Sequence, residues 1–215
     1  MKIIVSPNSY KESLSSIDAA NIIISSLKKN LNNYEFTNLP IADGGDGSFD
    51  VFRKYVNGIT ITKKILSPLG QKINTKYLLF DNGKSAFIEL SDSSGLKLVK
   101  KDFRNPLMYN SYSTGEIILS AIKKGVKKIV LALGGSATVD GGIGILSALG
   151  VKFLNKDGVE LKSKNFINEI SKIECEKKFF SNISFILLTD VKNKLLGENG
   201  ASYVFSKQKG ATKLQ

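Results

Sequence analysis

Lys128-Ile129-Val130-Leu131-Ala132-Leu133-Gly134-Gly135-Ser136-Ala137-Thr138-Val139-Asp140-Gly141-Gly142-Ile143-Gly144 reads as a strand that enters a glycine-rich loop and opens a helix. The apolar run Ile129–Leu133 is far too short for a bilayer span and belongs to a strand over Lys128–Leu133. The helix ends at Gly150, and a further strand follows at Val151–Leu154. Upstream, a helix from Ser113 to Lys124 closes on Gly125 as its C′ residue. Helix and strand in alternation are the mark of an α/β fold.

The same alternation opens the chain. Lys2–Ser6 predicts a short strand, and Ile17, Ala20, Ile24, Leu27 and Leu31 predict one apolar helix face behind an N-cap at Ser15 or Ser16. A strand near Tyr34–Leu39 and a helix over Ser48–Val56 follow. The middle differs: Ile59–Leu66, Gln71–Phe80 and Ser85–Leu90 are three consecutive strands, and Asp81-Asn82-Gly83-Lys84 is a hairpin signal. This change predicts a first α/β domain over 1–60 and a second over 61–215. Another strand, Ile183–Thr189, leads to Asp190.

Composition excludes much of catalytic chemistry. The 215 residues contain no His, and Cys175 is the single cysteine, so His-based triads, His metal sites and internal disulfides are excluded. With 42% hydrophobic and 23% charged residues the chain is globular. Its +12 charge comes from 31 Lys+Arg against 19 Asp+Glu, of which only Arg53 and Arg104 are arginines. The lysines are dispersed and not interleaved with aromatics, which predicts a solvated surface and no nucleic-acid partner. No segment reads as a membrane span or signal peptide, so the expected location is the cytoplasm. Chemistry falls to carboxylates, lysines, hydroxyls and backbone amides, with a hard cation such as Mg²⁺.

Four loops hold such groups. In Gly134–Gly142, glycines let amides approach an anion, Ser136 and Thr138 add donors, and Asp140 is placed to orient Mg²⁺; a tight strand–helix turn is the plain alternative. Ala42-Asp43-Gly44-Gly45-Asp46-Gly47-Ser48 sets two carboxylates at a strand end, for a metal-bridged phosphate or a general base, or else as a turn capping the next helix. Pro7-Asn8-Ser9-Tyr10-Lys11-Glu12-Ser13 offers Lys11 as a point charge for phosphate or as solvated surface. Thr189-Asp190 places an acid, or a turn aspartate, where strand ends deliver catalytic residues.

The order of these motifs, with Ser67-Pro68-Leu69-Gly70, Ser93-Ser94-Gly95-Leu96, Arg104-Asn105-Pro106-Leu107, Ser113-Thr114-Gly115-Glu116, Leu195–Ala201 and Gln208-Lys209-Gly210-Ala211-Thr212, resembles the bacterial glycerate kinase family of the class I type. The resemblance covers essentially the whole chain. It implies two unlike α/β domains, one Rossmann- or flavodoxin-like and one with a mixed sheet, and transfer of the γ-phosphoryl of ATP to D-glycerate with Mg²⁺. It also implies that the family pattern continues past Gln215, so the chain is similar to the N-terminal portion, truncated at the C-terminus and inactive alone; an inactive or ligand-binding remnant is the alternative function.

Carried onto this sequence, the resemblance makes Asp190 the acceptor of the glycerate hydroxyl proton. Lys11, Asn8, Ser9, Ser13, Gly134, Gly135, Ser136, Thr138, Gly141 and Gly142 become phosphate or substrate contacts, and Asp43, Asp46 and Asp140 stand near metal. Arg104 becomes the clamp for glycerate's carboxylate, since bidentate geometry favours arginine. The chain departs from the family pattern at Asn8, Glu12, Val139 and Lys192. Neither the hydroxyl phosphorylated nor the oligomeric state is legible.

Overall fold

In the computed structural model, which describes residues 1–10, 13–162, 164–176 and 182–212, the first two strands stand apart from the rest. β1 (Lys2–Val5) pairs in parallel with β2 (Glu35–Asn38), and α1 (Ser16–Lys28) connects them. Ser15 is the N-cap, its Oγ accepting the Asp18 amide at 3.1 Å. The helix stops at Lys28, short of Leu31, where the Asn-rich stretch offers side chains that compete for backbone bonds. Two strands cover little of it. Ile22 stays 56% exposed and Ile4 of β1 64% exposed.

The larger sheet holds five strands in the order β3 (Ile59–Leu66), β4 (Lys72–Phe80), β5 (Ser85–Glu89), β6 (Lys128–Ala132) and β9 (Ser184–Leu188). The β3–β4 and β4–β5 pairings are antiparallel, and β5–β6 and β6–β9 are parallel. Asp81, Asn82 and Gly83 all take positive φ (54°, 52° and 80°), which is why the hairpin falls where the Asn-Gly pair predicts. This mixed sheet and the separate parallel pair form the α/β architecture expected.

Period-two alternation distributes the core over both faces. Ala86, Ile88, Ile129 and Leu131 pack with Ile117, Ile118 and Ala121 of α4 (Tyr112–Lys123). Phe87, Val130 and Ala132 point the other way, onto Phe49 and Phe52 of α2 (Ser48–Tyr55). Phe52 stacks on Phe87 with ring centroids 4.2 Å apart. Thus α2, which precedes the expected boundary near residue 60, packs against the larger sheet. Its aromatic residues find their partners in strands that come later in the chain, which no local pattern announces.

Short α3 (Ser91–Ser94) follows β5, and α5 (Ile143–Ala148) follows β6. α4 and α5 cross at glycine: a Cβ on Gly115 would lie 2.5 Å from Ala148 Cβ and 2.7 Å from the Ile145 carbonyl oxygen. Beyond α5, β7 (Lys152–Leu154) and β8 (Lys172–Glu174) form an antiparallel ribbon, with Phe153 buried against Phe166. The short strand β8 carries no apolar alternation to predict it. The edge strand β9 shows Ile186 and Leu187 at 44% and 55% exposure. No described helix is long and apolar enough to cross a membrane.

Gly115→Val should lower stability by about 1–3 kcal/mol, because the new side chain meets backbone rather than flexible atoms. A chemical-denaturation midpoint measures this; an unchanged midpoint would show that the α4–α5 crossing yields freely.

Candidate functional site

Glu89 is the one charged residue in the otherwise apolar run Ala86–Leu90, and it is 1% exposed. It points to the α2 face, where its Oε1 accepts the Gly47 amide at 3.1 Å and its Oε2 the Phe49 amide at 2.8 Å. These are amides at the start of α2, where a carboxylate also meets the favourable end of the helix dipole. Ser91 Oγ donates to Oε1 as well, and Lys97 Nζ completes the set at 3.1 Å. Lys97 reaches Asp92 at 2.6 Å and Asp46 at 3.6 Å. Burial works to lower the Lys97 pKa, but the charges of Glu89, Asp92 and Asp46 outweigh it and raise it. Burial, then the charge of Glu89, raises Asp92, with Lys97 opposing.

This anchor fixes the Asp43–Gly47 loop beside the glycine-rich loop. The Gly134 amide donates to the Gly44 carbonyl at 2.8 Å, and a Cβ on Gly134 would lie 2.5 Å from Gly45 Cα. A Cβ on Gly135 would meet Asp46 Oδ1 at 2.8 Å, so the Asp46 carboxylate lies against that stretch of backbone. Gly44 rests on Leu188, whose carbonyl also accepts the Leu133 amide at 3.1 Å. Asp190, exposed, follows two residues later. The loop after β1 joins through Asn8, whose side chain donates to Asp43 Oδ2 at 3.0 Å and whose Oδ1 accepts the Ser9 amide at 2.7 Å. Asp43 Oδ1 in turn accepts the Gly45 amide at 2.9 Å. Ser13 turns back on this loop, its amide bonding the Tyr10 carbonyl at 3.0 Å; Lys11 and Glu12 lie outside the described residues. Asn8, Asp43, Asp46, Gly134 and Gly135 are therefore neighbours.

The far end of the glycine-rich loop is built differently from the sequence expectation. Asp140, placed near metal by that expectation, is 3% exposed. Its Oδ2 accepts the Ser111 amide at 2.8 Å, the Ser111 hydroxyl at 2.8 Å and the Gly144 amide at 3.1 Å, and its Oδ1 accepts the Gly142 amide at 3.2 Å. Ser111 Oγ accepts the Ile145 amide at 3.1 Å. The amides that open α5 are thus used inside the protein, and Asp140 locks the Gly141-Gly142 turn onto the start of α4.

Ser136 and Thr138 meet a residue that sequence reading quoted in a motif but gave no role. Lys209, 9% exposed, donates to Ser136 Oγ and to the Thr138 carbonyl, each at 2.7 Å. Arg104 lies beside it: its guanidinium reaches the Gln208 carbonyl at 3.4 Å, and a Cβ on Gly210 would lie 2.0 Å from the Arg104 carbonyl oxygen. Arg104 also lines a cleft of about 510 Å³ with Pro68, Leu69, Phe103, Asn105 and Tyr109. Glu89, Lys97, Ser111 and Lys209 are the residues that sequence reasoning missed. A lone acid in an apolar strand was the available signal for Glu89, and its place in the Gln208–Thr212 motif was that for Lys209; Lys97 and Ser111 lacked one.

The model of the glycerate kinase family matches residues 3–215. The chain is 38% identical over 216 residues to the Glycerate 2-kinase of Escherichia coli K12, covering 99% of this chain and 56% of that protein. It is 37% identical over 215 residues to the Glycerate kinase of Bacillus subtilis 168, covering 99% and 56%. A crystal structure from Salmonella typhimurium LT2, provisionally named glycerate kinase 2, superposes with TM-score 0.80 at 36% identity, over 100% of this chain and 58% of that one. The chain therefore spans a little over half the length of these relatives.

Glu89→Ala should cost about 2–4 kcal/mol, since it leaves the Gly47 and Phe49 amides without their acceptor, while Lys97 keeps Asp92 as a partner. Glu89→Gln should rescue little, because its amide group must oppose one of those N–H donors. Denaturant melts of the two variants decide this, and a loss under 1 kcal/mol in both would contradict it. Burial lowers the Lys209 pKa from 10.5 to about 8, with the Asp140 charge opposing. Between those values the unfolded chain keeps a proton that the folded chain has lost, so this group makes stability rise with pH from about 8 to 10.5. The stability difference between the native chain and Lys209→Met should shift in favour of the native chain across that window; a flat difference would contradict it.

Proposed function

Because the chain belongs to the glycerate kinase family, we propose that it carries the phosphate-holding and hydroxyl-activating groups of an enzyme that transfers the γ-phosphoryl of ATP to D-glycerate. One observation carries the reading: the loops after β1, β2, β6 and β9 meet around Gly44, Gly134 and Leu188, at the carboxyl ends of parallel strands. Ligands bind α/β sheets at such ends. Phosphoryl transfer needs positioning and charge compensation more than covalent chemistry by the protein, so a chain without His is suited to it.

In this reading the phosphates lie along Gly134–Ser136 and Thr138, with Asn8, Ser9 and Ser13 on the facing loop, and Lys11 of the same sequence motif is assigned a phosphate contact. The residues present fit Mg²⁺ in the way a nucleotide brings it. The described residues hold no group of three acidic, His or Cys ligands, while Asp46 lies against the Gly135 backbone with Asp43 three residues before it. Mg²⁺ is usually held by one or two carboxylates together with phosphate oxygens and water. Asp43 and Asp46 would hold it, and it would neutralise charge on the β- and γ-phosphates. Asp140 keeps the loop in shape. Arg104, in its cleft, binds the glycerate carboxylate. Asp190 accepts the proton of the attacking hydroxyl as its oxygen bonds to the γ-phosphorus and ADP leaves.

The assay is ATP-dependent formation of phosphoglycerate from D-glycerate with Mg²⁺, on this chain and on the chain extended to the relatives' length. Where turnover is found, Asp190→Asn should lower kcat by about 10²–10⁴-fold, since it deletes a general base at constant volume. Lys11→Met should raise KM for ATP as well as lower kcat, because a phosphate contact is made in both ground and transition states. No ATP binding and no turnover in either protein would overturn the reading; near-native kcat in Asp190→Asn would remove that residue from it.

A further inference from the structure

Lys209 is a buried cation whose direct partners among the described residues are both neutral, the Ser136 hydroxyl and the Thr138 carbonyl. Among the described residues, the charged groups around it are Asp140, buried and committed to four bonds of its own, and Arg104, whose guanidinium contacts the carbonyl of the preceding residue. A buried ammonium with neutral partners is expensive unless an anion completes it. The residue is also held in place. Lys207–Lys209 forms a 3-10 turn, Gly210 takes φ 89°, and any Cβ there would strike the Arg104 carbonyl. The side chain therefore enters beneath the glycine-rich loop along one fixed path.

Direction follows from donor chemistry. An ammonium only donates, so Ser136 Oγ must accept from it, and the serine's own O–H is turned elsewhere. Ser136 is further fixed by its antiparallel bridge to Gly95, beside the Leu96 amide bond to the Gly135 carbonyl at 2.7 Å. We propose that Lys209 is a positioning residue of the glycine-rich loop: its ammonium turns the Ser136 hydroxyl outward as a donor to a phosphate oxygen and supplies the positive charge that this loop lacks. The nucleotide as source of that phosphate rests on the function proposed above; the recognition of a phosphoanion does not.

The test is calorimetric binding of ATP, and separately of inorganic pyrophosphate, to the 215-residue chain at pH 7 and pH 9.5. The variants are Lys209→Met, Ser136→Ala and the double variant, each checked for native circular dichroism. The native chain should lose about tenfold or more in affinity between the two pH values, the scale of one charge-assisted hydrogen bond. Lys209→Met should be weaker by a similar factor at pH 7 and insensitive to the change. The double variant should be no weaker than Lys209→Met alone, since the serine acts through the lysine. A loss of affinity without the change in pH profile, or additive losses, would overturn the inference and leave a merely structural lysine. Pyrophosphate binding without ATP binding would uphold the inference and count against the nucleotide reading. Failure of the native chain to bind either anion would overturn the inference.

Discussion

A single buried carboxylate sets the relation between the sheet and the site. Glu89 ends β5 on the face that carries Phe87, and its two oxygens gather the first amides of α2, the Ser91 hydroxyl and Lys97. The two amides would otherwise lack an acceptor at the start of the helix. By gripping Gly47 and Phe49 it holds α2 on the sheet, and so holds the Asp43–Gly47 loop against Gly134 and Gly135.

The acids of this region therefore divide by environment. Glu89 and Asp140 are almost fully buried, and the amides and hydroxyls around them occupy their oxygens. Asp43, Asp46 and Asp190 lie at loop surfaces, where carboxylate oxygens stay within reach of a ligand. Spacing along the chain could not draw this division, because Asp140 and Asp46 stand in equally glycine-rich surroundings. What separates them is that Ser111, distant in sequence, reaches Asp140 with both an amide and a hydroxyl.

The lysines divide in the same way. Most of the +12 charge is surface, but Lys97, at the surface over an acidic cluster, and Lys209, which is buried, have opposite surroundings. Lys97 sits among three carboxylates and is held charged. Lys209 has neutral partners and is pushed toward losing its proton. One cation closes an ion cluster; the other has no direct anionic partner among the described residues beside the glycine-rich loop.

The amino-acid sequence by itself determined most of the strands, most of the helices, the Asn82-Gly83 hairpin, a serine cap at Ser15 or Ser16 and the family, because each is written in local pattern or in motif order. β3 falls at Ile59–Leu66 as the alternation dictates, since a strand's faces are fixed by a period of two residues. Tertiary structure alone decided that α2 belongs with the larger sheet, because Phe49 and Phe52 meet Phe80 and Phe87 only after β4 and β5 have folded beneath them. It alone decided that Asp140 braces a loop and that Lys209 lies under Ser136, 73 residues away along the chain. Local periodicity encodes which residues are buried, but the partner of a buried charge is chosen by the path of the whole chain.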